Sequence, residues 1–311
     1  MSLPEVDRIA VTAVVDNAID SLRRDEKVAR RFTNMRARRM PTLRAEHGLA
    51  HWIEVTRGRE TSRLAFDFGL TGESYVHNAV ELGLPASGVD ALVLSHGHQD
   101  HFGGLGGFLR TYLRFMRPDL TLYGGADHFL PRYVEREGQR VYIGRLDRQE
   151  LERQGLEVAV VERPTLLPHG VMLSGEMREA EAFEPIPPDL RVERDGAVVP
   201  DTFIGEQTLL AHVRGRGLVV VTSCSHRGIV GICRHAVRVS GVSKVHAVVG
   251  GFHLSGLDEE RISRVVDTFR ELGVDYVIPQ HCTGLEAMSL LMQRFPAQMV
   301  VSSVGSTFTF G

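Results

Sequence analysis

Short apolar runs recur along the chain, most of them bounded by glycine, proline or charged residues. They are IAVTAVV (9–15), HWIEV (51–55), RLAFDFG (63–69), ALVLS (91–95), LTLYGG (120–125), LEVAVV (156–161), LLAHV (209–213), LVVVTS (218–223), VHAVVGG (245–251), YVIPQ (276–280) and MVVSSV (299–304). Runs of this length and composition predict strands. The pattern changes to a helical period over 258–272, where Ile262, Val265, Val266, Phe269 and Leu272 share one face, Asp258 can cap the start and Gly273 ends the element. A second helix is expected to start at Asp147, with Glu150 in capping-box position and Gly155 beyond its end. Many strands with interspersed helices, no internal repeat and no low-complexity linker predict one α/β domain over 1–311, built as two sheets in a sandwich with helices outside. Residues 125–200 look irregular and are expected to be loops and insertions over a site.

Composition narrows the function classes. The net charge of −3 and pI near 6.5 give no general attraction to nucleic acid or anionic membranes. No apolar run reaches bilayer length, and the opening MSLPEVDRIAV has no basic-then-apolar signal, so a soluble cytoplasmic protein is expected. Cys224, Cys233 and Cys282 are odd in number and form no C-x-x-C pair, which predicts free thiols in a reducing compartment. One segment departs from the average: residues 23–44, RRDEKVARRFTNMRARRMPTLR, are rich in arginine but hold a single aromatic, Phe32. A solvated helix or a flap over an anionic small molecule fits this better than an RNA-binding surface.

Chemistry concentrates in SHGHQDH, residues 95–101, directly after a strand-like run. His96 and His98 can point at one ion, and Asp100 and His101 at a second. Imidazole and carboxylate are ligands that zinc, manganese and iron accept. Two ions need more donors than these four residues supply. Three other histidines stand just past apolar runs, His226 after LVVVTS, His253 after VHAVVGG and His281 after YVIPQ. Strands ending on one side of a sandwich would bring them to the same edge. His253 is the most ambiguous, since it could simply pack or bond backbone near Gly250-Gly251. His128, His169, His212, His235 and His246 lack this context and are read as structural or exposed. Asp67, in LAFDFG, can accept the second N–H of a ligating histidine.

SHGHQDH resembles the H-x-H-x-D-H signature of the metallo-β-lactamase superfamily, and LAFDFG resembles the aspartate-bearing strand before it. DN (16–17), EHGL (46–49), GLVVVTSCSHRGIV (217–230), GGFHL (250–254) and PQHCTG (279–284) resemble the branch of 7,8-dihydropterin-6-methyl-4-(β-D-ribofuranosyl)aminobenzene 5′-phosphate synthase-like proteins. The resemblance implies an αββα four-layer sandwich with the metals at one edge between the sheets. One departure stands out: Cys224 occupies the place where many superfamily hydrolases have a bridging aspartate. Either Cys224 supplies a thiolate or His226 takes over the ligation, and the second is favoured.

The expected set is thus two divalent ions, zinc first and manganese or iron as alternatives, held by His96, His98, Asp100, His101, His226 and His281. Such a pair shares a water, lowers its pKa toward ~7 and presents it as hydroxide. Asp100 and His253 are the expected catalytic residues, His253 as proton donor to a leaving group. A hydrolase of small anionic phosphoester or lactone-like substrates is the leading expectation. A synthase joining a pterin pyrophosphate to an aminobenzene ribose phosphate is the alternative enzyme, and RNA binding or processing the alternative of another class.

Overall fold

The computed structural model describes residues 3–33, 42–168 and 170–311; His169 and the centre of the basic segment lie outside the described residues. An eight-stranded sheet runs in the order Glu157–Val160, Thr121–Gly124, Ala91–Val93, Glu60–Phe66, Ala50–Arg57, Arg8–Val15, Thr307–Phe310, Ala29–Arg30. A seven-stranded sheet runs Thr165–Leu166, Val171–Leu173, Leu209–Val213, Gly217–Val221, Val245–Gly251, Tyr276–Gln280, with Glu5–Val6 also paired to Leu209–Val213.

The two sheets face each other. Ile9, Val11, Ile53, Leu64, Phe66 and Val93 of the first meet Leu209, Val219, Val221, Val249 and Ile278 of the second in one buried cluster. The runs that read as continuously apolar need a second cover on their outer faces. Helices Gly72–Glu81 and Leu105–Tyr112 provide it for the first sheet through Tyr75, Ala79, Leu105 and Phe108. Helices Ile229–Ser240, Glu259–Glu271 and Leu285–Arg294 provide it for the second through Ile232, Val265, Phe269 and Leu291. The result is the expected αββα four-layer sandwich.

Both helix-start signals operate. The Asp258 side chain accepts from Arg261 N, and Asp147 accepts from Glu150 N. Parallel pairing then sets the location of the site. Ala91–Val93 lies parallel to its neighbours in one sheet, and Gly217–Val221, Val245–Gly251 and Tyr276–Gln280 are parallel in the other. Their C-terminal ends therefore open on a common edge.

Three expectations change. MVVSSV forms no strand; Met299 makes only an isolated bridge to Val277, and Ser302 is used instead to hydrogen-bond Asp16 and Gln280. Thr307–Phe310, too short to stand out by pattern, pairs with Arg8–Val15 and Ala29–Arg30.

Residues 125–200 are not simply irregular. They contain a third sheet, Ala197–Pro200, Leu190–Arg194, Arg132–Arg136, Gln139–Gly144, all antiparallel. Its hairpins turn at Glu137-Gly138 and Asp195-Gly196, where both residues of each pair have positive φ, as two-residue type I′ loops require.

The described part of the basic segment is neither a helix nor a flap over the catalytic edge. Arg31 is buried against Ser306 and Glu26, and Arg30, Arg31 and Phe32 line a groove with Arg8, Thr307 and Thr309 on the first sheet. Among the described residues, no helix is long and apolar enough to cross a membrane.

Candidate metal centre

After Ala91–Val93 the chain passes through Ser95 and His96, and His98 caps the short helix Gln99–Phe102. That turn places Asp100 and His101 on the same side as the two preceding histidines. The following helix can approach only because Gly104 has no side chain; a Cβ there would lie 2.0 Å from the Phe68 carbonyl oxygen.

The histidines gather around two centres, His96–His98–His226 and Asp100; around the second, the sets whose ligand atoms fall within 4.8 Å are His47–Asp100–His281 and His96–His101–Cys224. Ligand nitrogens of His96, His98 and His226 lie within 4.8 Å of one another. Around Asp100, its Oδ2 is 3.6 Å from His101 Nε2 and 3.3 Å from His281 Nε2. Donors about 2.0–2.1 Å from a tetrahedral zinc are separated by roughly 3.3 Å, so each pair with Asp100 suits a shared ion, although His101 and His281 do not fall together in one set within 4.8 Å.

Three of the rings are held through Nδ1. His96 Nδ1 is 2.8 Å from Ser95 Oγ, His101 Nδ1 donates to Asp67 Oδ2 at 2.9 Å, and His281 Nδ1 is 3.0 Å from Asn17 Oδ1. This leaves Nε2 for a metal. Asp67 also accepts from Ser95 N, Ser95 Oγ and Ser223 Oγ, which makes it the hub behind His101. Glu206, pushed up to about 7 by burial, accepts from the backbone N–H groups of His226 and Arg227. Phe203 stacks on His226 with ring centroids 4.0 Å apart and closes the apolar side of the first group. Asp67, Ser225, His253 and His281 all have positive φ, a concentration of backbone strain at the site.

The residues present fit metal ions. His96 Nε2, His98 Nε2 and both nitrogens of His226 are buried without a hydrogen-bond partner among the described residues. Leaving such atoms unpaired costs about 1–3 kcal/mol each, which an ion would relieve. Burial, reinforced by neighbouring cationic groups, holds all three rings well below their ordinary pKa, the neutral form in which imidazole can bind a metal. The second group has the opposite character. Burial opposes charge on His101, but Asp100 and Asp67 push its pKa up to about 9.

The chain has a family. The model of the metallo-beta-lactamase superfamily matches residues 66–227, more than half of the sequence. The chain belongs to the metallo-beta-lactamase superfamily. Within it, a curated relative from Methanocaldococcus jannaschii, 7,8-dihydropterin-6-methyl-4-(beta-D-ribofuranosyl)-aminobenzene-5'-phosphate synthase, is 31% identical over 257 residues, 81% of this chain and 85% of that protein. Among solved structures, Tm1679, described as a metal-dependent hydrolase of the beta-lactamase superfamily, is 26% identical with a TM-score of 0.73, covering 97% of this chain and 98% of its own. A diphosphatase of the PhnP family shares the fold at 13% identity and a TM-score of 0.51, with 98% of both chains covered.

All seven site residues expected in this superfamily member reach one edge. His253 stands beside His226, ring centroids 4.4 Å apart, but falls in neither group described above. Both candidates for the aspartate position are present as well: His226 joins the first group, while Cys224 Sγ lies 3.2 Å from His101 Nε2, between the groups.

Pattern reading missed His47, whose Nε2 is 3.4 Å from Asp100 Oδ2, and Cys282, which follows His281. His47 follows no apolar run; EHGL within the family resemblance was its only signal. His128, His235 and His246 bond Gly205 O, Ser174 O and Asp275 respectively, the structural roles expected of them.

A cleft of about 580 Å³ opens over the groups. His98, Asp100, His226, His253 and His281 form its floor, and Val134, Tyr142, Ile143 and Leu190 contribute an apolar wall from the third sheet and its border.

Proposed function

We propose that this chain is a metal-dependent hydrolase of small anionic esters, phosphoester or lactone-like, with a dinuclear site. His96, His98 and His226 would hold one ion and Asp100, His101 and His281 the other, zinc being the first choice for such a donor set and manganese or iron the alternatives. The single observation that carries the reading is the set of orphaned, neutral, buried imidazole nitrogens facing one another at the cleft floor. Bound ions supply Lewis acidity and lower the pKa of a water nucleophile.

The protein's own groups do the rest. Asp100 is kept ionised: burial opposes the charge, but His101, His281 and His98 pull its pKa well below the usual carboxylate range. His253 is shaped as an acid. Burial disfavours its cation, but Cys282, Glu206 and Asp100 hold its pKa above the ordinary value, and its Nδ1 has no hydrogen-bond partner among the described residues. That proton is available to a leaving-group oxygen. The third sheet excludes water from one side of the cleft and receives the part of the substrate that does not react.

The synthase reading is favoured by the 31% identical relative. In that reaction the same floor would hold a departing pyrophosphate. The test is elemental analysis of protein grown with zinc, manganese and iron, followed by a panel of phosphodiesters, lactones and pterin pyrophosphates. Up to two ions per chain and turnover of an ester by water are expected. No bound metal, or turnover only with a pterin pyrophosphate plus an aromatic amine, would overturn the hydrolase reading.

The wall gives a separate prediction. Tyr142 is 57% exposed on the strand Gln139–Gly144 and borders the cleft, so it is free to cover an apolar substrate group. Tyr142→Ala should raise KM about 10-fold with kcat and metal content little changed, as loss of roughly 1.4 kcal/mol of uniform binding dictates. Steady-state kinetics on the best ester substrate measures it, and an equal fall in kcat would place Tyr142 in the chemistry instead.

A further inference from the structure

Strands Gly217–Val221 and Tyr276–Gln280 do not touch; Val245–Gly251 runs between them, parallel to both. Side chains just beyond their ends should be two strand spacings apart, about 9–10 Å. Nevertheless the sulfurs of Cys224 and Cys282 and a ring nitrogen of His253 lie within 4.8 Å of one another. The gap closes at Gly251. A Cβ there would stand 2.7 Å from Cys282 Sγ, so only glycine lets this thiol lean across the central strand toward Cys224, whose carbonyl oxygen it reaches at 3.4 Å. His96, His98 and His226 form their set without either sulfur, and among the described residues Cys282 joins no set that includes His96, His101 or His281.

We propose that Cys224 and Cys282 are a peroxide-responsive dithiol that closes to an intramolecular disulfide. An S–S bond of about 2.05 Å requires the sulfurs to approach by less than about 3 Å. The two positions differ in access. Cys282 is half-buried at the cleft, while Cys224 is only 3% exposed. Cys282 therefore meets the oxidant first. Its sulfur attacks the O–O bond of hydrogen peroxide, takes one oxygen as a sulfenic acid and releases one water. Cys224 sulfur then attacks Cys282 sulfur, the S–O bond breaks, and a second water leaves with the Cys224 proton. Two thiols lose two electrons and two protons, and one peroxide becomes two waters. The cross-link ties the turn bearing His226 to the turn bearing His281 and draws the Cys224 sulfur away from His101.

This inference does not depend on the substrate or reaction of the site. Metal-loaded protein is treated with hydrogen peroxide, free thiols are alkylated under denaturing conditions, and peptides are mapped without reduction. The expected result is a peptide pair linked through Cys224 and Cys282, with Cys233 alkylated and the link removed by dithiothreitol. Cys233, buried in the helix-side core, is the internal control. Cys224→Ser should leave Cys282 trapped by dimedone as sulfenic acid, and Cys282→Ser should leave Cys224 a thiol. Sulfinic Cys282 without a link, a link between two chains, or survival of both thiols in wild-type protein would each overturn the proposal.

Discussion

His281→Ala should lose about one metal ion per chain and at least ~10³-fold in turnover, whereas His253→Ala should keep its metal content and lose ~10²–10⁴-fold. The contrast follows from what each ring touches. His281 Nε2 faces Asp100 Oδ2 at 3.3 Å, and Asn17 holds its other nitrogen. Its backbone is held too, with His281 N donating to the buried carboxylate of Asp16 at 3.0 Å. A ring so fixed at both ends is built to present one lone pair. His253 instead stands beside the first group with its Nδ1 unpartnered. Metal content by mass spectrometry and turnover, measured together in both variants, decide the matter. An emptied metal position in His253→Ala would make that residue a ligand and remove the proton donor from the proposed chemistry.

Asp67→Ala should destabilise the protein by about 3–5 kcal/mol and weaken metal binding roughly 10–100-fold. Asp67 is fully buried, and its carboxylate accepts from Ser95, Ser223 and His101. Ser95 and His101 follow one sheet and Ser223 the other, so a single side chain fastens the two layers at the metal edge. Alanine strands several buried donors and frees the His101 ring. Asp67→Asn separates the two effects. Asparagine tolerates the positive φ of 61° at this position, so most stability should return, while His101 loses the carboxylate that fixes its tautomer. Denaturant midpoints with metal chelated, together with zinc competition against a chelator, measure both. Wild-type stability in Asp67→Ala would show that the hub has no structural weight.

The sequence was most informative where one local pattern dictated one outcome. SHGHQDH follows an apolar run and does lie at that strand's end, and the positions of His226 and His281 were legible because a buried parallel strand announces its own end. The aspartate hub was visible for the same reason. His47 and Cys282 were harder, since their positions depend on which turns face each other across the edge. The third sheet was missed for a different cause. Its strands, such as LRVER with alternating buried and charged positions and the largely exposed QRVYIG, lack the continuous apolar run that marked the others. The Asp195-Gly196 turn was the available clue. MVVSSV misled in the other direction, being apolar because Met299 and Val300 are buried, without a ladder on either side.

The strand Thr307–Phe310 lies inside the first sheet, between Arg8–Val15 and Ala29–Arg30. During synthesis Ile9 must therefore wait for Phe310, its partner in register. Until then one side of Arg8–Val15 has an open row of donors and acceptors, a template for misdirected pairing with another nascent chain. Closure of so distant a contact is entropically slow and comes late. The site edge waits as well, because the His226 and His281 turns belong to the later-made sheet. Until Thr307–Phe310 is in place, a growing chain can carry the complete SHGHQDH segment while one side of Arg8–Val15 still lacks its partner strand.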